Sequence, residues 1–270
     1  MKIRMKKYLK IISVAVQTSM EYRVNLLLTL MSCFFPILIQ IYMWITLYSN
    51  SGEDTIFNYS YPQMLFYAVT ATVLSKMIAA DYCSNVSNDI KNGSLSGFLV
   101  RPFSYFTYTV SQFVGNKVIG FSVLMIITIA LLAVFNAIFD MTFSLLRIAL
   151  FIAAIFVAMI LKFLISFVIS CSSFWMTESG GILLAVNVIS LVISGAYFPL
   201  DIFGNVAITV SRMLPFYYTI YFPVNIINGR TDISEIAVGF AVQLVWIGLL
   251  YLIKTLIWNR GIKLYTAVGG

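Results

Sequence analysis

The chain has 270 residues, of which 61% are hydrophobic and only 10% are charged, with a formal net charge of +7 and no histidine. Soluble domains carry roughly 25% charged residues, so this composition excludes an ordinary soluble protein and requires the bilayer as part of the solvent. Without histidine, the chain lacks the commonest metal ligand and general base and cannot form a Ser-His-Asp site. Its basic residues are not interleaved with aromatics on a soluble domain, so we expect no nucleic-acid partner.

Six apolar segments are long enough to cross a bilayer as helices, which takes about 20 residues each. They cover roughly 24–48, 61–80, 113–139, 143–170, 179–198 and 236–258. We therefore predict an all-α membrane protein with six transmembrane helices in a single domain, residues 1–270. The first segment is too long for the apolar core of a signal peptide, so we expect it to remain as a span.

The basic residues give the orientation through the positive-inside rule. With the N-terminus in the cytosol, twelve of the 17 Lys and Arg residues lie on the inner side. Arg147, Arg212 and Arg230 lie outside, whereas Lys76 and Lys162 fall within spans. We therefore predict that both termini are cytosolic.

Residues 1–23 precede the first span and are amphipathic. Leu9, Ile12, Val16 and Met20 recur at helical spacing on one side, while lysines and other polar residues fall on another. Such a helix lies in the membrane interface, with its lysines among anionic lipid headgroups. Two roles stay open, a positively charged anchor or a helix that transmits motion between a cytosolic partner and the spans.

A polar segment, residues 81–102, separates the second and third spans. It contains helix-like pieces that end at Gly93 and Pro102, so it is more than a bare turn. On the predicted topology it lies in the cytosol. We interpret it as a docking surface for a soluble partner.

An outer segment, residues 199–235, separates the last two spans. Pro199, Pro215 and Pro223 divide its apolar sequence into pieces too short to cross a membrane. Such pieces can dip into the outer leaflet only where protein or a water-filled cavity covers them. Either they form short re-entrant helices that close a substrate path, or they form an aromatic belt on the headgroups.

No motif for chemistry is visible. The chain has no Walker A loop, zinc motif or G-x-S-x-G nucleophile elbow. We therefore expect it not to be an enzyme and to bind no cofactor of its own. Cys33, Cys83 and Cys171 are an odd set, and we expect free thiols that pack as small apolar groups.

Ionisable residues near the predicted inner mouth are Lys76, Asp81, Lys162 and Glu178. The two lysines could simply extend their amines to the cytosolic interface. Alternatively, they line the mouth and attract an acidic substrate headgroup, with the two carboxylates as partners. Both interpretations stay open.

No carboxylate lies deep in a predicted span, which disfavours a proton- or sodium-coupled transporter. Gln40 and Asn187 are the polar side chains expected to lie deepest. We expect them to join helices rather than to bind a ligand.

Three stretches together resemble the permease subunit of a type-2 ATP-binding-cassette (ABC) exporter. The first is NDIKNGSLSGFLVRP at 88–102, which is similar to the family's segment after the second span. The second is GAYFPL at 195–200, followed by LPFYY at 214–218 and Pro223. The third, GIKLYTAVGG at 261–270, resembles a bacterial subgroup whose permeases occur in pairs with one ATPase.

The resemblance implies a bacterial cytoplasmic membrane, two permease chains and two ABC ATPase subunits that bind ATP and Mg²⁺. The second permease would be a paralogue, and the cargo amphipathic or lipid-like, a drug or a peptide. The polar segment would be a coupling helix, with this set on the ATPase: Asp89, Ile90, Lys91, Leu95, Phe98 and Arg101. The outer gate would comprise Phe198, Pro199, Pro215, Phe216, Tyr217 and Tyr218.

Other functions stay open at this point. An ion-coupled transporter would act alone, without ATP. A membrane scaffold or immunity protein would bind a partner without transport. An integral membrane enzyme is disfavoured because no catalytic constellation is visible.

Overall fold

The computed structural model describes residues 2–21, 23–176 and 179–265, which are almost entirely helical. Within these ranges the α-helices are α1 Lys2–Glu21, α2 Arg23–Ser51, α3 Tyr61–Ile78, α4 Ser84–Lys91, α5 Leu95–Leu99, α6 Tyr105–Phe139, α7 Leu145–Ser170, α8 Ser179–Ile193, α9 Gly204–Arg212, α10 Tyr221–Ile227 and α11 Ile233–Leu264. Short 3₁₀ helices cover Asp81–Cys83, Cys171–Phe174 and Leu200–Phe203, and the strands β1 Thr55–Ile56 and β2 Tyr59–Ser60 form an antiparallel hairpin.

Five helices in the described ranges, α2, α3, α6, α7 and α11, are long and apolar enough to cross a membrane. This confirms the membrane character of the chain. The predicted fifth span corresponds to α8, which has only 15 residues. A helix of that length rises about 22 Å, short of the roughly 30 Å hydrocarbon core. It ends before Gly195, whose φ of +76° favours glycine and stops a helix. The six-span arrangement therefore stays a prediction.

The third predicted span begins earlier than expected, at Tyr105 rather than Phe113. The added turns are less apolar, so a search for hydrophobic length misses them. Tyr105 and Thr109 lie one turn apart on the same face, and both are buried. Packing on that face extends α6 beyond its apolar stretch.

Helix α3 lies at the centre of the bundle and contacts α2, α6, α7 and α10. Almost every side chain from Met64 to Ile78 is buried. Lipid is as apolar as a leucine side chain, so membrane helices associate through close packing and polar contacts. Ala68 and Ala71 of α3 and Ala154 and Ala158 of α7 are fully buried and permit this close approach.

Gln40 of α2 joins helices, as the sequence predicts. Its Nε2 donates to the carbonyl of Tyr197 at 3.3 Å, and its Oε1 accepts from the Thr72 hydroxyl of α3 at 3.3 Å. Asn187, by contrast, is exposed. All three cysteines are free and buried, which confirms the expectation of free thiols.

Helix α1 packs along α6. At this contact Ala15, which is 2% exposed, faces Gly115. Leu9 and Met20 from the predicted apolar stripe are more than half exposed, at 58% and 55%. The contact with α6 is therefore centred on a small residue, and part of the predicted stripe remains free to face lipid.

Gly115 generates a testable prediction about this contact. A Cβ atom at Gly115 would lie 2.5 Å from the Ala15 Cβ and 2.8 Å from the Ile12 carbonyl oxygen. We expect Gly115→Ala to push α1 away from α6 and to destabilise the protein by about 1–3 kcal/mol, the usual cost of overpacking. The measurement is thermal unfolding of the purified chain in detergent.

Gly248→Ala is the matched control, because Gly248 also lies within a helix but a Cβ there meets nothing within 4 Å. Alanine favours helix over glycine by about 1 kcal/mol, so this variant should be as stable as the wild type or slightly more so. Equal melting temperatures for both variants would contradict a tight α1–α6 contact.

Candidate functional site

The polar segment 81–102 folds as two short helices, α4 and α5, after a 3₁₀ turn that continues from α3. Gly93 lies between them with a φ of +76°, a conformation that glycine adopts at little cost. The sequence therefore placed the break between the helical pieces correctly. The docking role of the segment stays a prediction.

The polar segment is fixed to the bundle by its own predicted contact residues. Asp89 accepts a hydrogen bond from the Tyr105 hydroxyl of α6 at 2.6 Å. The Tyr105 ring stacks on Trp258 of α11, with the ring centroids 5.3 Å apart. Ile90 and Leu95 are 5% and 0% exposed, so they fill the core of this chain. Their side chains are not available to a partner in this conformation.

The exposed large apolar residues of the segment lie at the end of α5. Val100 is 85% exposed and Leu99 is 43% exposed. Arg101 is exposed beside them, and its guanidinium carbon lies 4.8 Å from the centroid of the half-buried Phe98 ring. Lys91 is half-buried. We call Leu99, Val100 and Arg101 the exposed tip; the sequence analysis missed the two apolar residues because they continue an apolar run.

Three of the four predicted inner-mouth residues lie together at the end of α3. Lys76, Asp81 and Lys162 line a cavity of about 460 Å³. Lys76 and Asp81 also line a second cavity of about 360 Å³, together with Lys117 of α6. Glu178 lies outside the described residues. The sequence analysis missed Lys117, which it had assigned only to the cytosolic side of the chain.

The outer segment contains the predicted short helices, α9 and α10, after the 3₁₀ turn Leu200–Phe203. The predicted gate residues divide by burial. Tyr217 and Tyr218 are buried at 7% and 6%, whereas Phe198 is 37% exposed. The others are half-buried or buried: Phe216, Pro199 and Pro215.

A polar network that the sequence analysis did not find holds the outer segment to the start of α3. The Asp201 carboxylate accepts hydrogen bonds from the hydroxyls of Tyr59, at 2.9 Å, and Tyr221, at 2.7 Å. Arg230 lies 3.7 Å from the same carboxylate and 3.6 Å from the centroid of the Tyr59 ring. We call these four residues the Asp201 network.

The network depends on protonated phenols. Burial, followed by the neighbouring Tyr67 and the Asp201 carboxylate, raises the pKa of Tyr59 above its ordinary value. Burial, followed by Tyr59 and Asp201, raises the pKa of Tyr221 in the same direction. Both phenols therefore remain hydrogen-bond donors to Asp201 at neutral pH.

Two further hydrogen bonds hold the turn after α8 near the Asp201 network. Tyr67 of α3 is fully buried and donates to the carbonyl of Gly195 at 2.8 Å. The N–H of Tyr221 donates to the carbonyl of Ser194 at 2.9 Å. The turn after α8 is therefore fastened to both α3 and α10.

Comparison with protein-family models identifies the chain over nearly its whole length. Residues 10–269 match the model described as ABC-2 family transporter protein. The chain belongs to the ABC-2 transporter family. It is a membrane-embedded permease, and its family associates with ABC ATPase subunits. Neither the curated proteins nor the solved structures contain a match to it.

The two ends of α3 carry different structural features. One end carries the polar segment and the lysine-lined cavities, and the other carries the Asp201 network. The membership confirms the resemblance to the type-2 ABC permease family, whereas the subgroup with paired permeases stays a prediction. It does not assign roles to single residues.

The Asp201 network generates a second prediction. Removal of one hydrogen bond to a charged group costs about 1–3 kcal/mol, so we expect Tyr59→Phe and Tyr221→Phe each to lower the thermal stability of the permease by that amount. Asp201→Ala should cost more than either, because it leaves Arg230 without its carboxylate.

Tyr42→Phe is the control, since Tyr42 is 69% exposed. It should unfold at the wild-type temperature. If Tyr59→Phe and Tyr221→Phe were also as stable as the wild type, the network would not hold the outer segment in place.

Proposed function

We propose that this permease is the transmembrane subunit of an ATP-driven exporter and forms its substrate pathway with a second, paralogous permease. Separate ATPase subunits would bind ATP and Mg²⁺, and this chain would supply no catalytic residue and bind no cofactor. The observation that carries the proposal is the exposed tip, which projects from a polar segment anchored to the bundle. Family membership supports the ATPase as its partner.

The contacts of the polar segment suggest how ATPase movement would reach the spans. Asp89 connects α4 to α6 through Tyr105. The Ser170 hydroxyl of α7 donates to the carbonyl of Cys83 at 2.7 Å. A displacement of α4 and α5 would therefore move α3, α6 and α7 together. The permease would supply two alternative packings of these helices rather than chemistry.

The exporter proposal includes a topology. The polar segment and both termini would lie in the cytosol, in a bacterial cytoplasmic membrane, as the distribution of lysines and arginines indicates. Helix α8 and the residues that follow it would complete a sixth crossing. Helix α1 would lie in the interface on anionic lipids, since Lys6, Lys7 and Lys10 are exposed along it.

The outer segment would act as the lid of the pathway. Its helices α9 and α10 are too short to cross a membrane. Buried aromatic residues and the Asp201 network cover the backbone of this segment with protein. They therefore support re-entrant helices that form a lid, rather than an aromatic belt that rests on the headgroups.

The exposed tip gives the third prediction. We expect Val100→Asp to prevent co-purification of the ATPase from native membranes in mild detergent. Val100 is 85% exposed, so the change leaves the permease folded, but a charge buried in an apolar contact should cost about 2 kcal/mol or more, about a thirtyfold loss of affinity.

Val206→Asp is the matched control, since Val206 is 78% exposed and lies in α9, beside the Leu200–Phe203 turn. Asp201 of that turn binds Tyr59, which precedes the other end of α3. This variant should recover as much ATPase as the wild type. A wild-type permease that purifies alone and stable, or one that transports without ATP in liposomes, would overturn the exporter proposal. The result would then favour a self-sufficient transporter or a scaffold.

A further inference from the structure

Two cavities flank the last turn of α3. The larger, about 460 Å³, lies among α2, α3, α7 and α8, and the smaller, about 360 Å³, lies among α1, α2, α3 and α6. Four residues line both: Ser32, Lys76, Ala79 and Asp81. We call the two cavities the paired cavities. The end of α3 therefore separates two parts of one polar region within the bundle.

The paired cavities carry an excess of positive charge. Lys76 lines both, Lys162 lines the larger and Lys117 lines the smaller, whereas Asp81 is the one carboxylate among the described lining residues. Lys162 donates to the Ser190 hydroxyl at 3.0 Å, and Lys117 donates to the Lys76 carbonyl at 3.1 Å. These partners are neutral. Across the described ranges, none of the three lysines forms an ion pair.

Another buried lysine shows a different arrangement. The Lys254 ammonium lies 4.0 Å from the centroid of the Phe106 ring and 4.1 Å from that of Tyr251, so two aromatic faces stabilise its charge. Lys254 lines neither of the paired cavities. Among the described residues, no aromatic ring covers the ammonium groups of the three cavity lysines, and each of these lysines lines a cavity.

The remaining lining suits a polar ligand. Six serine and threonine side chains line the larger cavity: Ser32, Thr72, Ser75, Ser84, Ser166 and Ser170. Beside the cavities, α2 and α8 present apolar residues such as Phe35, at 61% exposure, and Val188, at 51%. A molecule with a polar head and an apolar tail could thus place its head among the lysines and its tail along these helices.

We propose that the paired cavities bind a phosphate ester through Lys76, Lys162 and Lys117. Ammonium groups form strong charge-assisted hydrogen bonds with phosphate. A cation within a membrane bundle is costly unless it is compensated, and an incoming phosphate would supply that compensation. Asp81 alone cannot balance three lysines. That the bound phosphate ester is the exported substrate rests on the exporter function proposed above. The binding of a phosphate ester does not depend on that function.

The test measures lipid binding to the purified full-length permease in detergent. The probes are fluorescent phosphatidylglycerol, which carries an anionic phosphate ester, and fluorescent diacylglycerol, whose head carries no phosphate. We expect the wild type to bind phosphatidylglycerol about tenfold more tightly, and Lys76→Gln to weaken that binding about tenfold, as expected for one charge-assisted hydrogen bond. Lys162→Gln is a second, independent variant with the same expected direction.

Lys263→Gln is the matched control, because Lys263 is an exposed lysine in the last turn of α11 and lines neither cavity. It removes the same charge and should bind phosphatidylglycerol as the wild type does. Equal binding of both lipids by the wild type would overturn the proposal. An equal loss in Lys263→Gln and Lys76→Gln would also overturn it, since the effect would then be one of net charge.

Competition with glycerol 3-phosphate identifies the source of the phosphate. Displacement of the lipid at similar concentrations would support a site for soluble phosphate esters. Failure to displace it, with the lysine dependence intact, would support a site for lipids. Because no ATPase is present in the assay, a failure of the exporter proposal in the co-purification experiment leaves this result readable.

Discussion

Burial of α3 on nearly all sides is the constraint on which the rest of the structure depends. In a bilayer, apolar surface gives little reason for helices to associate, so contact must come from close packing and satisfied polar groups. Small residues such as Ala68 and Ala71 provide the packing, and Thr72 provides a bond to Gln40 of α2. Helices α2, α6, α7 and α10 thereby share one partner. A shift of α3 cannot leave its neighbours in place.

The two ends of α3 are fastened by different chemistry. At its start, Pro62 lies in the first turn and Gln63 accepts from the Ser60 N–H, which joins the helix directly to the hairpin and to Tyr59. Through Tyr59 that end reaches Asp201. At its other end the chain continues into the polar segment, whose Phe98 ring packs on Tyr105 of α6. Tyr105 in turn stacks on Trp258 of α11. Helix α3 thus connects a network of hydrogen bonds with the segment that carries the exposed tip.

The sequence predicted what depends on composition and local pattern. Of the six spans that hydrophobic length predicted, five correspond to helices long enough to cross a membrane. Gly93 predicted the break in the polar segment. The sequence could not predict contacts between residues far apart in the chain, such as Tyr59 with Asp201. The family resemblance placed Ile90 and Leu95 on a partner, whereas both side chains fill the core of their own chain. Apolar character predicts burial without saying against what.

The basic residues of the bundle differ in which partners compensate their charges. Arg230 has a carboxylate and an aromatic face, and Lys254 has two aromatic faces, so both are compensated within the chain. Lys76, Lys117 and Lys162 share one carboxylate among the residues described and face open cavities. A lysine that merely extended to the interface would need no lining of hydroxyl groups on its path. The contrast within one protein therefore favours binding over anchoring for these three lysines.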